Sequence, residues 1–110
     1  MVMSFKLAGQ NFLALNGGPQ FKFTEAVSLA VDCGSQREVD WFWEKLSSGG
    51  FKSQCGWLKD KYGLSWQIVP AILGKWMSDS NPAKSSRVMK AMLHMSKLDI
   101  AVLKKAHQGK

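Results

Sequence analysis

The sequence predicts one α+β domain, and three observations carry that expectation. Its 110 residues are 45% hydrophobic, enough for one domain to bury its own core and too few for two independent ones. Period-two apolar patterning dominates up to Pro70, interrupted by one helical stretch, and a period near 3.6 takes over afterwards. Turn residues then cut the chain into the order ββ, βαββ and αα, with the first two parts expected to share a largely antiparallel sheet.

In the first hairpin, Met3, Phe5 and Leu7 alternate with small or polar residues, Ala8-Gly9-Gln10 turns, and residues 12–15 return. Asn16-Gly17-Gly18-Pro19 stops it, because glycines permit positive φ and proline cannot donate to a ladder. Residues 20–25 read as a loop carrying Phe21 and Phe23, and residues 27–33 as a strand with Val27, Leu29 and Val31 on one face. Ser35 with Glu38 forms a capping box, behind which Val39, Phe42, Trp43 and Leu46 keep helical spacing until Gly49-Gly50. A second hairpin pairs residues 54–59 with 64–69 around Asp60-Lys61-Tyr62-Gly63 and is closed by Pro70. Asn81-Pro82 starts one tail helix with an apolar stripe through Val88, Met89, Met92, Leu93 and Met95. Ser96 with Asp99 reads as a capping box for a last helix ending near His107.

Composition excludes several classes. Charged residues are 21% and aromatics 11%, with five Trp and six Phe, so the chain is globular and not disordered. No apolar run approaches the about 18 to 20 residues of a membrane helix, and MVMSFKLAGQ has no signal-peptide character, which places the chain in the cytosol with no membrane partner. Cys33 and Cys55 stand 22 positions apart and read as reduced thiols, neither a disulfide framework nor a CxxC metal site. The net charge is +7, and residues 84–110 hold seven basic residues against the single acid Asp99. With no aromatic residue interleaved as a stacking platform, that tail reads as solvated helix faces, not a nucleic-acid site.

The two hairpins share Gly-x-x-aromatic-x-apolar-apolar, at residues 9–15 and 63–69, as two copies of one unit would. The stretches LNGGPQFKFTEAVSL and CGWLKDKYGLSWQIVP, with VDWFWEKLSSGG and RVMKAMLHMSKLDIAVLKKA, resemble the PhnB-like branch of the vicinal-oxygen-chelate superfamily, the branch labelled 3-demethylubiquinone methyltransferase. That resemblance implies a glyoxalase-like fold of βαβββ modules curled around a cavity. On it, 1–110 is one PhnB-like domain: 1–19 the last hairpin of an incomplete first module, 25–70 a second module, and 79–107 a C-terminal helical pair. A first module with only its hairpin leaves two expectations, a truncated chain or a homodimer that completes the sheet.

Superfamily metal ligands would fall near Ala26, at Gln67 and at Leu13, of which Gln67 alone offers an oxygen, so no metal and no cofactor are expected. His94 and His107 lie in the tail helices and read as surface or packing residues. No glycine-rich loop joins a parallel strand to a helix as a methyltransferase cofactor would need. Cys55 has no histidine near it in sequence and reads as a structural thiol. If Trp66 and Ile68 pack against the helix carrying Phe42 and Trp43, then Ser65 and Gln67 face the other way, joined by Ser28 and Ala30 and by Trp57 with Cys55. Such a face lines a ligand cavity or fills a barrel or dimer interface. The candidate binding residues are Ser28, Trp57, Ser65 and Gln67, with Asn16 and Phe21 near the mouth. No catalytic residue is singled out. The function expected is binding of a small aromatic or quinone-like molecule. The alternatives are a 3-demethylubiquinone-type methyltransferase or a metal-dependent glyoxalase-type lyase or isomerase.

Overall fold

The computed structural model describes residues 1–110. Strands β1 (Val2–Leu7) and β2 (Gln10–Leu15) form an antiparallel hairpin in which Phe5 and Phe12 lie opposite each other with ring centroids 5.4 Å apart. Ala8 and Gly9 close it at φ of 50° and 79°, the mirror-image turn whose twist suits a two-residue hairpin loop. After a long connection come β3 (Ser28–Cys33), α1 (Gln36–Ser47), β4 (Phe51–Lys52), β5 (Trp57–Lys59) and β6 (Ser65–Pro70). The chain ends in α2 (Ala71–Met77), α3 (Pro82–Leu93) and α4 (Ile100–Gln108).

The strands do not make one common sheet. The hairpin is a two-stranded sheet by itself, while the other four strands are ordered β3-β6-β5-β4. Within that sheet β3 and β6 run parallel, because α1 and the β4–β5 pair return the chain in its original sense, and the remaining pairs are antiparallel. Residues β3 through β6 thus form one βαβββ module. The hairpin projects from it, so the molecule measures 53 × 26 × 25 Å with a radius of gyration of 16.2 Å. A compact chain of this length has a radius near ~13 Å.

Local sequence explains the element boundaries. The Ser35 hydroxyl accepts the Glu38 N–H at 3.2 Å, and the Glu38 carboxylate accepts the Gly34 N–H at 3.0 Å, which closes the N-terminus of α1. Strand β5 is shorter than its apolar pattern, because Cys55 and Gly56 take positive φ (58° and 82°) and turn their N–H groups to Met95 and Ser96 carbonyls at 2.8 Å. Asn81 caps α3 as expected, accepting the Ala83 N–H at 3.0 Å. At α4 the cap is Asp99, which accepts the Val102 N–H at 3.2 Å, and not Ser96, whose hydroxyl donates to the Ser53 carbonyl. Helix α2 is new; Gly74 in its middle hid the helical pattern, and Pro70 both ends β6 and precedes it.

Two cores follow. Cys33, Val39, Trp43, Leu58 and Ile68 are buried between α1 and one face of the four-stranded sheet, with Trp66 and Phe42 packed against them. Leu73, Val88, Leu98 and Leu103 form a second core among the tail helices, joined to β6 through Val69. Arg87 closes the helical pair by donating to the Ala106 and His107 carbonyls at 2.8 and 3.1 Å, so one tail cation is engaged in the fold. Gln36 clasps the two cores together: its amide nitrogen donates to the Leu98 carbonyl at 3.0 Å, and its oxygen accepts the Ile100 N–H at 2.8 Å. Removing the clasp strands two half-buried backbone groups, so Gln36→Ala is expected to lower stability by about 2 kcal/mol in urea titration. An unchanged midpoint would show that water replaces the clasp without loss.

Asp79 tightens the end of α2. It accepts the Asn81 N–H and the His107 Nε2 at 2.8 Å each, while the His107 ring stacks on Trp76 with centroids 5.6 Å apart. The Asn81 N–H, and after it His107, hold the Asp79 carboxyl below the usual carboxylate range. A depressed carboxylate stabilises the fold above its unfolded pKa, and that stabilisation is lost as pH falls through the folded value. Asp79→Asn is therefore expected to lower the melting temperature at neutral pH and to reduce the acid-side loss. Parallel pH profiles for parent and variant would refute this assignment.

Candidate functional site

The face of the four-stranded sheet opposite α1 carries the site. Pairing sets Ser28, Ser65, Lys59 and Phe51 in one row across the strands, and Ala30, Gln67 and Trp57 in the next. Alternation along each strand keeps these side chains on one side while Leu58, Trp66 and Ile68 turn to α1. A cavity of 390 Å³ opens on this face, with Ser65, Trp57 and Leu58 lining it along with Phe51, Ser53, Lys59 and Glu25.

One polar atom in the cavity is left without a partner. The Ser65 hydroxyl is fully buried and makes no hydrogen bond. A buried hydroxyl without a partner costs roughly 1–3 kcal/mol, so a water or another bound molecule is needed to complete its bonding. Beside it, the Gln67 amide donates to the Ser28 hydroxyl at 2.9 Å, which fixes both side chains. Across the rim, the Lys59 ammonium pairs with the Glu25 carboxylate. Hydrogen bonding from Lys59 holds the Glu25 carboxyl below the usual range, so the pair persists well into mildly acidic solution.

Of the six residues singled out from sequence, Trp57 and Ser65 meet in this cavity, and Ser28 and Gln67 pair on the same face next to it. Asn16 and Phe21 are elsewhere: the Asn16 N–H bonds to the Met1 carbonyl at the base of the hairpin, and Phe21 is 92% exposed in the connection to β3. Lys59 and Glu25 also line the cavity and are not among those six. Lys59 follows Trp57 by two positions on β5, and that period was the available signal for it. Glu25 reaches the site only through the loop before β3, which no periodicity reports.

The donor set does not fit a divalent metal. Ala26 and Leu13 have no donor atoms, the Gln67 amide is engaged with Ser28, and no three His, Cys, Asp or Glu side chains come together as ligands. His94 Nδ1 lies 2.8 Å from the Lys90 carbonyl, and His107 is committed to Asp79. The β3–α1 turn, where a parallel strand meets a helix N-terminus, carries no glycine-rich loop for an adenosyl cofactor and is closed by the Ser35–Glu38 cap. Burial pushes the Cys33 thiol pKa up, which keeps it protonated and inert as a nucleophile. Cys55 is held by its backbone to Met95, and both cysteines are free thiols.

Comparison with known proteins agrees with this architecture. Residues 1–69 match the family model described as 3-demethylubiquinone-9 3-methyltransferase. A solved structure from Bacillus cereus, described as a PhnB protein and candidate 3-demethylubiquinone-9 3-methyltransferase, aligns with a TM-score of 0.60 at 35% identity. The alignment covers 64% of this chain and 64% of that one. None of the curated proteins matches the chain significantly. The family match takes in the hairpin and the βαβββ module up to Val69, one residue short of the end of β6, and stops before the helical tail. With its α+β, glyoxalase-like architecture, the chain belongs to the PhnB-like, 3-demethylubiquinone-9 3-methyltransferase family.

Proposed function

We propose that this protein is a metal-free, small-molecule-binding member of the family, acting in the cytosol as a homodimer, with a flat organic ligand held between Trp57 and the Ser65 hydroxyl. The observation that carries the reading is the buried, unpartnered Ser65 oxygen in a cavity with an aromatic wall. Ser28 and Gln67 extend the polar floor. No helix is long and apolar enough to cross a membrane.

Support for the dimer comes from the hairpin. Met3, Phe5 and Leu7 are exposed on one face of it together with Ala14, although a two-stranded hairpin is at best marginally stable alone in water. At the same time β3 bonds only to β6, so its outer edge offers unpaired N–H and C=O groups. A second copy covers both. The family's name favours a second reading, methyl transfer.

Native mass spectrometry of the purified protein tests these readings together. A dimer retaining organic mass without metal is the expected result, and Phe5→Lys is expected to turn it into a monomer. A bound divalent ion or S-adenosylmethionine adduct would transfer the case to enzymatic chemistry. A monomer in the parent protein would remove the dimer.

A further inference from the structure

We propose that the ligand of the Ser65 cavity is a planar organic acid, whose anionic oxygen displaces Glu25 from Lys59 and accepts a hydrogen bond from the Ser65 hydroxyl. This rests on the binding-site reading above and adds the chemical class of the ligand. The two members of the rim ion pair differ in how they are held. Lys59 is fixed in the middle of the sheet, its backbone in register with Ser65 of β6 on one side and Phe51 of β4 on the other. Glu25 comes from the loop before β3, and its side chain is 61% exposed against 39% for Lys59. When a bound molecule enters the cavity, the carboxylate is the partner free to swing into water, and the ammonium stays behind.

What remains facing the ligand is one cation, one hydroxyl with no other use and an aromatic wall. The Ser65 hydroxyl has no acceptor in the protein and is closed off from water, so a ligand oxygen reaches its proton once the cavity's lining opens. Lys59 supplies charge-assisted hydrogen bonds to the same oxygen or its neighbour in a carboxylate. Trp57 and Phe51 give the apolar contact that a ring requires. A cationic ligand would meet the like charge of Lys59 at the sheet, and the protein's net charge of +7 also favours the approach of anions. Glu25 then acts as a resident competitor, occupying Lys59 until an acid of the right shape replaces it.

The probes are 2-naphthoate, its neutral amide and the cationic 2-naphthylmethylammonium, titrated calorimetrically, with amide chemical-shift mapping to locate each. In the parent protein 2-naphthoate is expected to bind at least about tenfold more tightly than the amide, with shifts centred on Trp57 and Ser65. Lys59→Met is expected to erase that preference, and Glu25→Gln to tighten 2-naphthoate several-fold. The Glu25 variant guards against misfolding, since a gain of affinity cannot come from a damaged protein. Equal binding of acid and amide, or preference for the ammonium probe, overturns the acid class and leaves the site standing. Shifts that avoid Trp57 and Ser65 for all three probes, or no binding by any of them, overturn the site reading and this inference with it.

Discussion

Gly50→Ala is expected to destabilise the protein by about 3 kcal/mol, one of the two largest single-residue effects anticipated for the chain. A Cβ at this position would sit 2.1 Å from the Lys59 carbonyl oxygen and 2.7 Å from the carbonyl carbon of Asp60. Both neighbours are backbone, so no side-chain rotation relieves the overlap. The loop from α1 into β4 must therefore lift away from the end of β5. That end is tightly organised: Asp60 accepts the Tyr62 and Leu64 N–H groups at 2.9 and 3.1 Å and the Trp66 indole N–H at 3.0 Å. Displacing it moves Lys59 as well, so ligand affinity and stability fall together. Gly74 supplies the contrast, since a Cβ there meets nothing within 4 Å inside helix α2. Gly74→Ala is expected to stabilise by roughly 0.5–1 kcal/mol. Urea titration of both variants checks the pair, and equal midpoints for Gly50→Ala and parent would contradict the close backbone approach.

Much of this arrangement was legible in the residues, for a physical reason that also sets its limit. Signals acting over one turn or one strand could be read: the Ser35–Glu38 cap, the Asn81-Pro82 start, and the alternation that turns Ser65 and Gln67 away from Trp66 and Ile68. That alternation put Trp57 and Ser65 in the candidate site before their cavity was visible. Long-range pairing was not readable in the same way. Whether the hairpin joins the main sheet depends on contacts between residues far apart in the chain, and a strand's own pattern is the same in either case. The parallel β3–β6 pair was hidden similarly, because a half-buried strand carries no mark of its neighbour's direction. No local pattern ties Asn16 and Phe21 to the mouth, and they lie away from the cavity, Asn16 at the base of the hairpin and Phe21 in the connection to β3. Lys59 and Glu25 lie 34 positions apart in the chain, and only the fold makes them a pair.

Ser65→Ala is expected to move stability and binding in opposite directions. In the free protein the hydroxyl is buried with no partner, and removing it relieves a desolvation cost of roughly 1–3 kcal/mol while leaving space for one small atom. The variant should therefore unfold at higher urea than the parent, by about 1 kcal/mol once the lost packing is set against the relief. A planar acid bound in the cavity loses a hydrogen bond to a charged oxygen, worth roughly 1.5–3 kcal/mol, or about ten- to a hundredfold in affinity. A merely structural serine would show the reverse pattern, with stability falling and 2-naphthoate binding unaffected. Residues kept at a cost to the fold are characteristic of binding sites, because selection for function tolerates the local loss. If urea titration reports a loss of stability, the hydroxyl is satisfied by bound water in the free protein, and if 2-naphthoate affinity is also unchanged, the cavity's polar floor is a packing feature, not a recognition element.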